Sequence, residues 1–498
     1  MPDDPVPAAP GSRDVAGTPG GRSDPEPTTV PVWIGSRRVD RTRTVPLTGC
    51  DGRLVAHVAQ AGRLMQHEMV ERARQVAPLL SSVEESAWFA HFHRAAEIVA
   101  RWLADGRLTD PARRLSRATG LPETRVLRGI AAVVGHLRRI EQIMAAQAPN
   151  GDLAAYRTGD CGAPWRWLPT GRTCMVRVPA NFPTIMIEWL QVLAARRPVL
   201  VNTSDRDPFT AGIFVAALYE AGLPDGAVSL VHGDASTWVR LADQVVWPGE
   251  HAPPQHDPAR LKTYHFGRSK VVLGDEDPGA EVWTRLARLA FQGSGRLCTN
   301  MSALAVTGDP VRAARRLAEA FARYPARPLT EPAARVPAFP DRTEFEALVR
   351  MVEREVAGGA VDVTAEVTGQ PLRIELDGVP YLRPTVLLTT ADSPLFRTEL
   401  PFPFTAVAPV ERSRLGQACA HSLIVSVVGE DAEVVAALAA EPTITKVFSG
   451  ALFDRGYQPE DPQEGYLADF LFQKKALLPV PEARVDKEQL CRRIPSAR

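Results

Sequence analysis

Cys174-Met175-Val176-Arg177-Val178-Pro179 is a short apolar run that stops at a proline, and Ala180-Asn181-Phe182-Pro183 turns the chain. From Thr184 to Ala195 the apolar residues then recur at helical spacing. The same alternation repeats downstream. Pro198-Val199-Leu200-Val201-Asn202 is a second strand, and Pro208 to Ala221 a second helix. Gly222-Leu223-Pro224-Asp225-Gly226 stops that helix, and Val228-Ser229-Leu230-Val231 is a third strand. Strands separated by helices of about a dozen residues build a parallel sheet through βαβ crossovers. The fold class expected is therefore α/β, with a doubly wound sheet that binds its ligand at the carboxyl ends of its strands.

Working outward, two more buried strands are expected at Asp243 to Trp247 and Lys270 to Leu273. A helix from Glu281 to Phe291, a Gly-rich turn holding Cys298, a strand from Ser302 to Val306 and further mixed α/β structure to about residue 450 follow. Upstream, Met65 to Ala146 reads as a helical region. Its apolar residues Trp88, Phe89, Phe92, Ala95, Ile98, Val99 and Trp102 share one face, as do Ile130, Val133, Val134, Leu137, Ile140 and Ile143. Residues 1 to about 28 are rich in Pro, Gly, Asp and Ser and predict a disordered tail, with folding starting near Val30.

Composition narrows the function classes. Among 498 residues, Lys+Arg and Asp+Glu are both 58, so no global field gathers nucleic acid or an anionic membrane, and neither is expected as a partner. Only six of the 58 cations are lysines, a chain-wide replacement by arginine that reads as genomic bias. No stretch reaches the ~18 consecutive apolar residues of a membrane helix. Met1-Pro2-Asp3-Asp4 lacks the basic and apolar regions of a secretory signal, so a cytoplasmic setting is expected. Cysteines 50, 161, 174, 298, 419 and 491 form no C-x-x-C pair, which fits neither a disulfide framework nor a zinc site. His91 and His93 face different ways on a helix, and no Cys or carboxylate cluster completes a site at His251 and His256, so no metal is expected.

The dinucleotide fingerprint G-x-G-x-x-G is absent after every strand. Gly293-Ser294-Gly295-Arg296-Leu297-Cys298 begins like it, but follows a helix and ends in cysteine. Glycines there let backbone approach a reacting centre beside a thiol. On its own, Cys298 reads either as a nucleophile or as an inert buried thiol.

Four segments in one order resemble the aldehyde dehydrogenase superfamily. Val178-Pro179-Ala180-Asn181-Phe182-Pro183 is similar to its strand-to-turn segment ending in Asn-Phe-Pro. Ala221 to Val228, closing at Gly233, is similar to its Ala-Gly-Leu-Pro-x-Gly-Val-Val segment. Gly293 to Thr299 stands where its nucleophilic cysteine lies, and Glu399-Leu400-Pro401-Phe402-Pro403 resembles its Glu-x-Phe-Gly-Pro segment, shifted by one at the Phe. Cys298 lies 117 positions after Asn181, and Glu399 101 positions after Cys298. The resemblance covers roughly residues 170 to 475. It implies Cys298 as nucleophile, with the Asn181 amide and the Cys298 backbone N–H as donors to the oxyanion. It further implies cofactor contacts at Pro179, Ala180, Asn202, Ser204, Asp205, Arg206, Gly249, Glu399 and Phe402.

Three departures shape the function expected. The family's water-activating glutamate falls at Tyr264, within Tyr264-His265-Phe266-Gly267-Arg268-Ser269-Lys270. A tyrosine is a poor base at neutral pH, so the acyl-enzyme waits for another acceptor, with His265, Glu250 or Tyr264 as possible substitute bases. The phosphate-contacting Phe-Thr-Gly-Ser turn becomes Val246-Trp247-Pro248-Gly249-Glu250. With His265 to Ser269 this is similar to the acyl-CoA reductases of the bacterial luminescence (LuxC-like) type. The ribose-binding Lys-Pro-Ser-Glu becomes Asn202-Thr203-Ser204-Asp205-Arg206, where Asp205 disfavours and Arg206 favours a 2′-phosphate. The cofactor expected is NADP or NAD, the reductive direction inclining to NADP.

The resemblance implies a cofactor domain at about 29–266, completed by about 451–475, and a catalytic domain at 267–450. An oligomerisation arm is expected from 150–170 and 476–498, pairing copies into a homo-oligomer, dimer or tetramer. The activity expected is NAD(P)H-dependent reduction of an acyl thioester, on CoA or an acyl carrier protein, to an aldehyde through acyl-Cys298. The alternatives are oxidation of an aldehyde to acid or thioester, and a non-catalytic scaffold.

Overall fold

A computed structural model describes residues 27–161, 165–249, 253, 256–265, 267–274, 277–429, 431–450 and 458–476. Residues 1–26 of the expected tail, residues 477–498 of the expected arm, and Glu250 lie outside the described residues. Thr28, assigned to the tail, belongs instead to a strand, Thr28–Val30, and pairs with Ala56.

Two seven-stranded sheets organise the chain. The first runs in the order Leu261–Tyr264, Gln244–Pro248, Cys174–Val178, Val199–Thr203, Val228–His232, Val32–Ile34, Arg37–Val39. The first five strands are parallel, and the last two join antiparallel. Every residue of Val199–Thr203 and Val228–His232 is buried, the near-continuous apolar texture of a sheet covered on both faces. From Cys174–Val178 the chain winds one way to the strands at 199 and 228, then crosses back to Gln244–Pro248 on the other side. The switch point lies between Cys174–Val178 and Gln244–Pro248.

Most of the helical region covers one face of this sheet, while Met69, Val70 and Ala73 of its first helix pack with Met175, Leu200 and Val231 on the other. Glu85–Ala104 buries Trp88, Phe89, Phe92, Ala95, Ala96 and Val99, a stripe at 3–4-residue spacing, against Glu123–Arg138 and Thr210–Glu220. The Trp88 indole N–H donates to the carbonyl of Ala194 at 2.9 Å, which pins this layer to the helix after Asn181. That helix is shorter than expected: a 3₁₀ turn at Pro183–Met186 precedes Ile187–Ala194. Proline at the first position supplies a fixed φ where no N–H is needed.

The second sheet runs Val361–Asp362, Thr385–Leu388, Phe404–Pro409, Ala303–Val306, Lys270–Leu273, Ile424–Val428, Lys446–Ser449. All its pairs are parallel except the first. Alternate residues face opposite layers. Val271, Leu273, Leu304 and Val306 pack with Trp283, Leu286 and Leu317, whereas Val272, Ala303 and Ala305 pack with Phe345, Leu348 and Val349. Strand Lys270–Leu273, read as following Asp243 to Trp247, belongs to this second sheet. Gly120, at φ +77°, ends helix Thr109–Thr119 and lets its end abut this half of the molecule. A Cβ there would lie 2.0 Å from the carbonyl oxygen of Ala338.

A two-stranded antiparallel sheet, Trp165–Pro169 with Phe472–Ala476, stands apart from both. Among the described residues no helix is long and apolar enough to cross a membrane.

Candidate active site

The switch point opens into a cavity. Val178 and Pro179 wall one side, Val246 and Pro248 another, and Leu297, Cys298 and Thr299 close it from the second sheet. Asn181 lines it too, so the expected nucleophile and oxyanion donor face one space.

Left-handed backbone shapes the nucleophile loop. Gly293, Ser294 and Gly295 lie at φ +51°, +60° and +81°. A Cβ on Gly295 would sit 2.3 Å from the backbone carbon of Phe402, so glycine is needed for the approach as well as the turn. Arg296 anchors the loop from inside. Its guanidinium donates to the carbonyls of Thr119 at 2.6 Å, Ala338 at 3.0 Å and Pro401 at 3.3 Å. Asn300 Nδ2 donates to the carbonyl of Gln292 at 2.8 Å and closes the loop on itself.

Cys298 is held at its carbonyl and at its sulfur. Ser269 Oγ donates to the Cys298 carbonyl at 2.8 Å. Gly267 packs so closely that a Cβ on it would lie 1.7 Å from that same oxygen. Gln463 Nε2 donates to the sulfur at 3.2 Å. Burial, together with the carboxylates of Glu399, Glu188 and Glu464, pushes the thiol up to about 12. Beside it, the Thr299 hydroxyl is buried and makes no hydrogen bond, a donor free to meet a ligand.

The candidate bases separate. The Tyr264 hydroxyl donates to Oε2 of Glu188 at 3.0 Å, and burial and that carboxylate push it well above the usual phenol range. Tyr264 is thereby corrected from possible base to hydrogen-bond donor. His265 lines the cavity, with its ring Nδ1 3.0 Å from Glu464 Oε2.

The cofactor residues divide as well. Asn202 is fully buried: its Oδ1 accepts from Arg177, and its Nδ2 donates to the carbonyls of Val231 and Gly233. Nothing of its amide remains for a ribose, which corrects that assignment. Phe402 is also corrected, since it is a core residue packed on Phe339 and Phe404. Glu399 Oε2 accepts the backbone N–H groups of Gly267 and Arg268 at 2.8 and 3.1 Å, so this oxygen braces a bend instead of facing a ribose. Glu399 lines a neighbouring cavity with Ala180, Asn181 and Arg206.

Ser204 Oγ accepts from the Arg206 N–H in a local turn, while Asp205 is exposed just past the end of Val199–Thr203. Gly249, at φ +108°, ends Gln244–Pro248 with open space where a Cβ would point. An open crevice at a switch point, an exposed carboxylate after the second strand and a bare glycine after the fourth fit an adenine dinucleotide. Among the described residues no group of three or more His, Cys, Asp or Glu could hold a metal ion.

Glu188, Gln463, Glu464 and Arg296 escape the sequence reading. A lone glutamate on a helix reads as a solvated charge, and Gln463 lies 165 positions from the sulfur it touches.

Fold and site define a two-sheet α/β protein with a cysteine thiol at the crevice of a doubly wound sheet. Residues 37–244 match the family described as the aldehyde dehydrogenase family. A probable methylmalonate-semialdehyde/malonate-semialdehyde dehydrogenase [acylating] of Caenorhabditis elegans is 22% identical over 306 residues, 56% of this chain and 55% of its own. Malonate-semialdehyde dehydrogenase 1 of Oceanobacillus iheyensis is 29% identical over 192 residues, 34% of this chain and 39% of its own. The chain thus spans about half the length of the curated relatives it matches. The crystal structure of gamma-glutamyl-gamma-aminobutyraldehyde dehydrogenase from Burkholderia cenocepacia superposes with a TM-score of 0.72 at 20% identity, over 89% of this chain and 95% of that one. Aldehyde dehydrogenase 21 from Physcomitrella patens gives 0.72 at 15% identity, over 91% and 98%. The chain thus has the aldehyde dehydrogenase fold, and its residues 37–244 are similar to that family.

Proposed function

We propose that this protein passes an acyl group through Cys298, reducing an acyl thioester, on CoA or a carrier protein, to an aldehyde with NADPH or NADH. One observation carries this reading: the Tyr264 hydroxyl is engaged with Glu188 and cannot activate water. The name of the Caenorhabditis elegans relative, an [acylating] dehydrogenase, supports it by the same logic.

The steps follow from the residues. The Cys298 sulfur adds to the thioester carbonyl, and the Asn181 amide and the Cys298 backbone N–H receive the charge on oxygen. Losing one such donor costs about 10²–10³ in rate. The oxyanion collapses with loss of the thiol, leaving acyl-Cys298. When bound, a nicotinamide would supply hydride to this acyl carbon, and cleavage of its bond to sulfur, with a proton returned to Cys298, would free the aldehyde. Asp205 and Arg206 would hold the adenosine end and Gly249 would admit the phosphates. Val178, Val246 and Leu297 give the cavity apolar walls. The two sheets serve as cofactor and catalytic halves, and the pair Trp165–Pro169 with Phe472–Ala476 as the arm through which copies join into a homo-oligomer.

Glu188 favours a second reading. A carboxylate in the same cavity could activate water and release an acid from an aldehyde substrate. Turnover of acyl-CoAs with NADPH or NADH, set against turnover of aldehydes with the oxidised cofactor with and without CoA, separates the two. Inertness toward both leaves the scaffold.

A further inference from the structure

Two contacts hold Cys298, one at its carbonyl and one at its sulfur, and each lies within two residues of a second pair of side chains in the same cavity. Gly267 abuts the Cys298 carbonyl, and Gln463 touches the sulfur. Two residues before the first stands His265, and one after the second stands Glu464. Oε1 of Glu464 accepts the backbone N–H of His265 at 2.9 Å, and its Oε2 lies 3.0 Å from the ring Nδ1. Both side chains line the cavity that holds Cys298. In the neutral ring, the nitrogen facing a carboxylate carries the proton and leaves Nε2 its lone pair. Anchors flank this pair: Glu399 accepts the Gly267 and Arg268 N–H groups, and Lys262 Nζ donates to the carbonyl of Glu464 at 3.0 Å.

We propose that His265 and Glu464 form a proton-exchanging dyad for Cys298, His265 taking the thiol proton and Glu464 positioning the ring. The proposal rests on the acyl-cysteine reading above. The Cys298 S–H bond breaks, its proton moves to Nε2 and its electron pair stays on sulfur. Sulfur then bonds to the acyl carbon. The bond from that carbon to the departing thiol's sulfur breaks, and that thiolate takes the proton back from Nε2. No oxidant or reductant enters. The need is chemical, because a thiol titrating near 12 holds only about one part in 10⁵ of its reactive thiolate at neutral pH.

Alkylation of Cys298 by iodoacetamide in the full chain at pH 7.5 or so, followed peptide by peptide by mass spectrometry, tests the dyad. Glu464→Gln removes a carboxylate that raises the thiol, so electrostatics alone would speed alkylation. The dyad requires the opposite, a slowing of about tenfold or more, with Glu464→Asp recovering part of the rate. His265→Ala slows alkylation similarly, and imidazole restores it, since the ring position is 60% exposed and open to a small base. Faster or unchanged alkylation in Glu464→Gln, or no imidazole effect in His265→Ala, overturns the proposal. An unfolded variant betrays itself by rapid alkylation of all six cysteines, and His265→Gln then replaces it. Acylation of the wild-type chain by thioesters is scored separately: its failure removes the acyl-cysteine reading, and a failed rescue removes only the dyad.

Discussion

The hydroxyl of Tyr264 donates to Oε2 of Glu188 at 3.0 Å, and both side chains line the cavity of Cys298. A phenol fixed as a donor to a carboxylate takes no proton from water. Tyr264→Phe is therefore expected to change thioester-dependent turnover by less than about fivefold, measured as NADPH consumption with an acyl-CoA. A general base at this position would instead cost about 10²–10⁴.

Gly267 lies against the Cys298 carbonyl with no room for a methyl group, and the opposing atom is backbone, which cannot rotate away. Gly267→Ala is expected to lower unfolding free energy by on the order of 3 kcal/mol and to displace the thiol. Urea unfolding and the rate of Cys298 alkylation read both effects. An alanine variant as stable and as reactive as wild type contradicts the packing described.

Arg296 satisfies three backbone carbonyls from three separate segments, two residues before the thiol. Arg296→Met leaves all three without this partner, and each such group costs about 1–3 kcal/mol when kept from water. The expected result is a loss of at least about 3 kcal/mol in urea unfolding, with the active-site cysteine loosened.

His136 and His232 are buried, and burial pushes both down to about 4 from the ordinary 6.5. His232 is also tied to Thr203 Oγ1 and the carbonyl of Pro31. Between these pH values the unfolded chain binds protons that the folded chain refuses, so stability rises with pH. It is expected to fall as pH drops from 6.5 toward 4, seen as a falling urea midpoint. His232→Gln should flatten that slope.

The strand-turn-helix at 174–195 is legible because its period switches at one proline, and the rest of the first sheet follows from repeating that unit. Cys298 and Asn181, which line one cavity, are singled out only by the four segments in order, since each alone also reads as an inert thiol or a turn residue. The remaining wall of the site is not. Glu188 shows no local signature, and Gln463 reaches the thiol, and Glu464 its cavity, only because the chain returns to the first sheet after completing the second. Asn202 departs from its expected role for a related reason. Its position at a strand end matches a cofactor residue, but Arg177 on the neighbouring strand captures its amide. Strand pairing is a contact that local pattern does not contain.

The most direct test of the central claim is mass spectrometry of the full chain after incubation with a panel of acyl-CoAs in the absence of nicotinamide cofactor. An acyl adduct on the Cys298 peptide, absent in Cys298→Ala, persisting in water and discharged by NADPH, NADH or added CoA, is the result expected. No adduct at Cys298 with any thioester, or an adduct that water clears as fast as cofactor or thiol does, contradicts it.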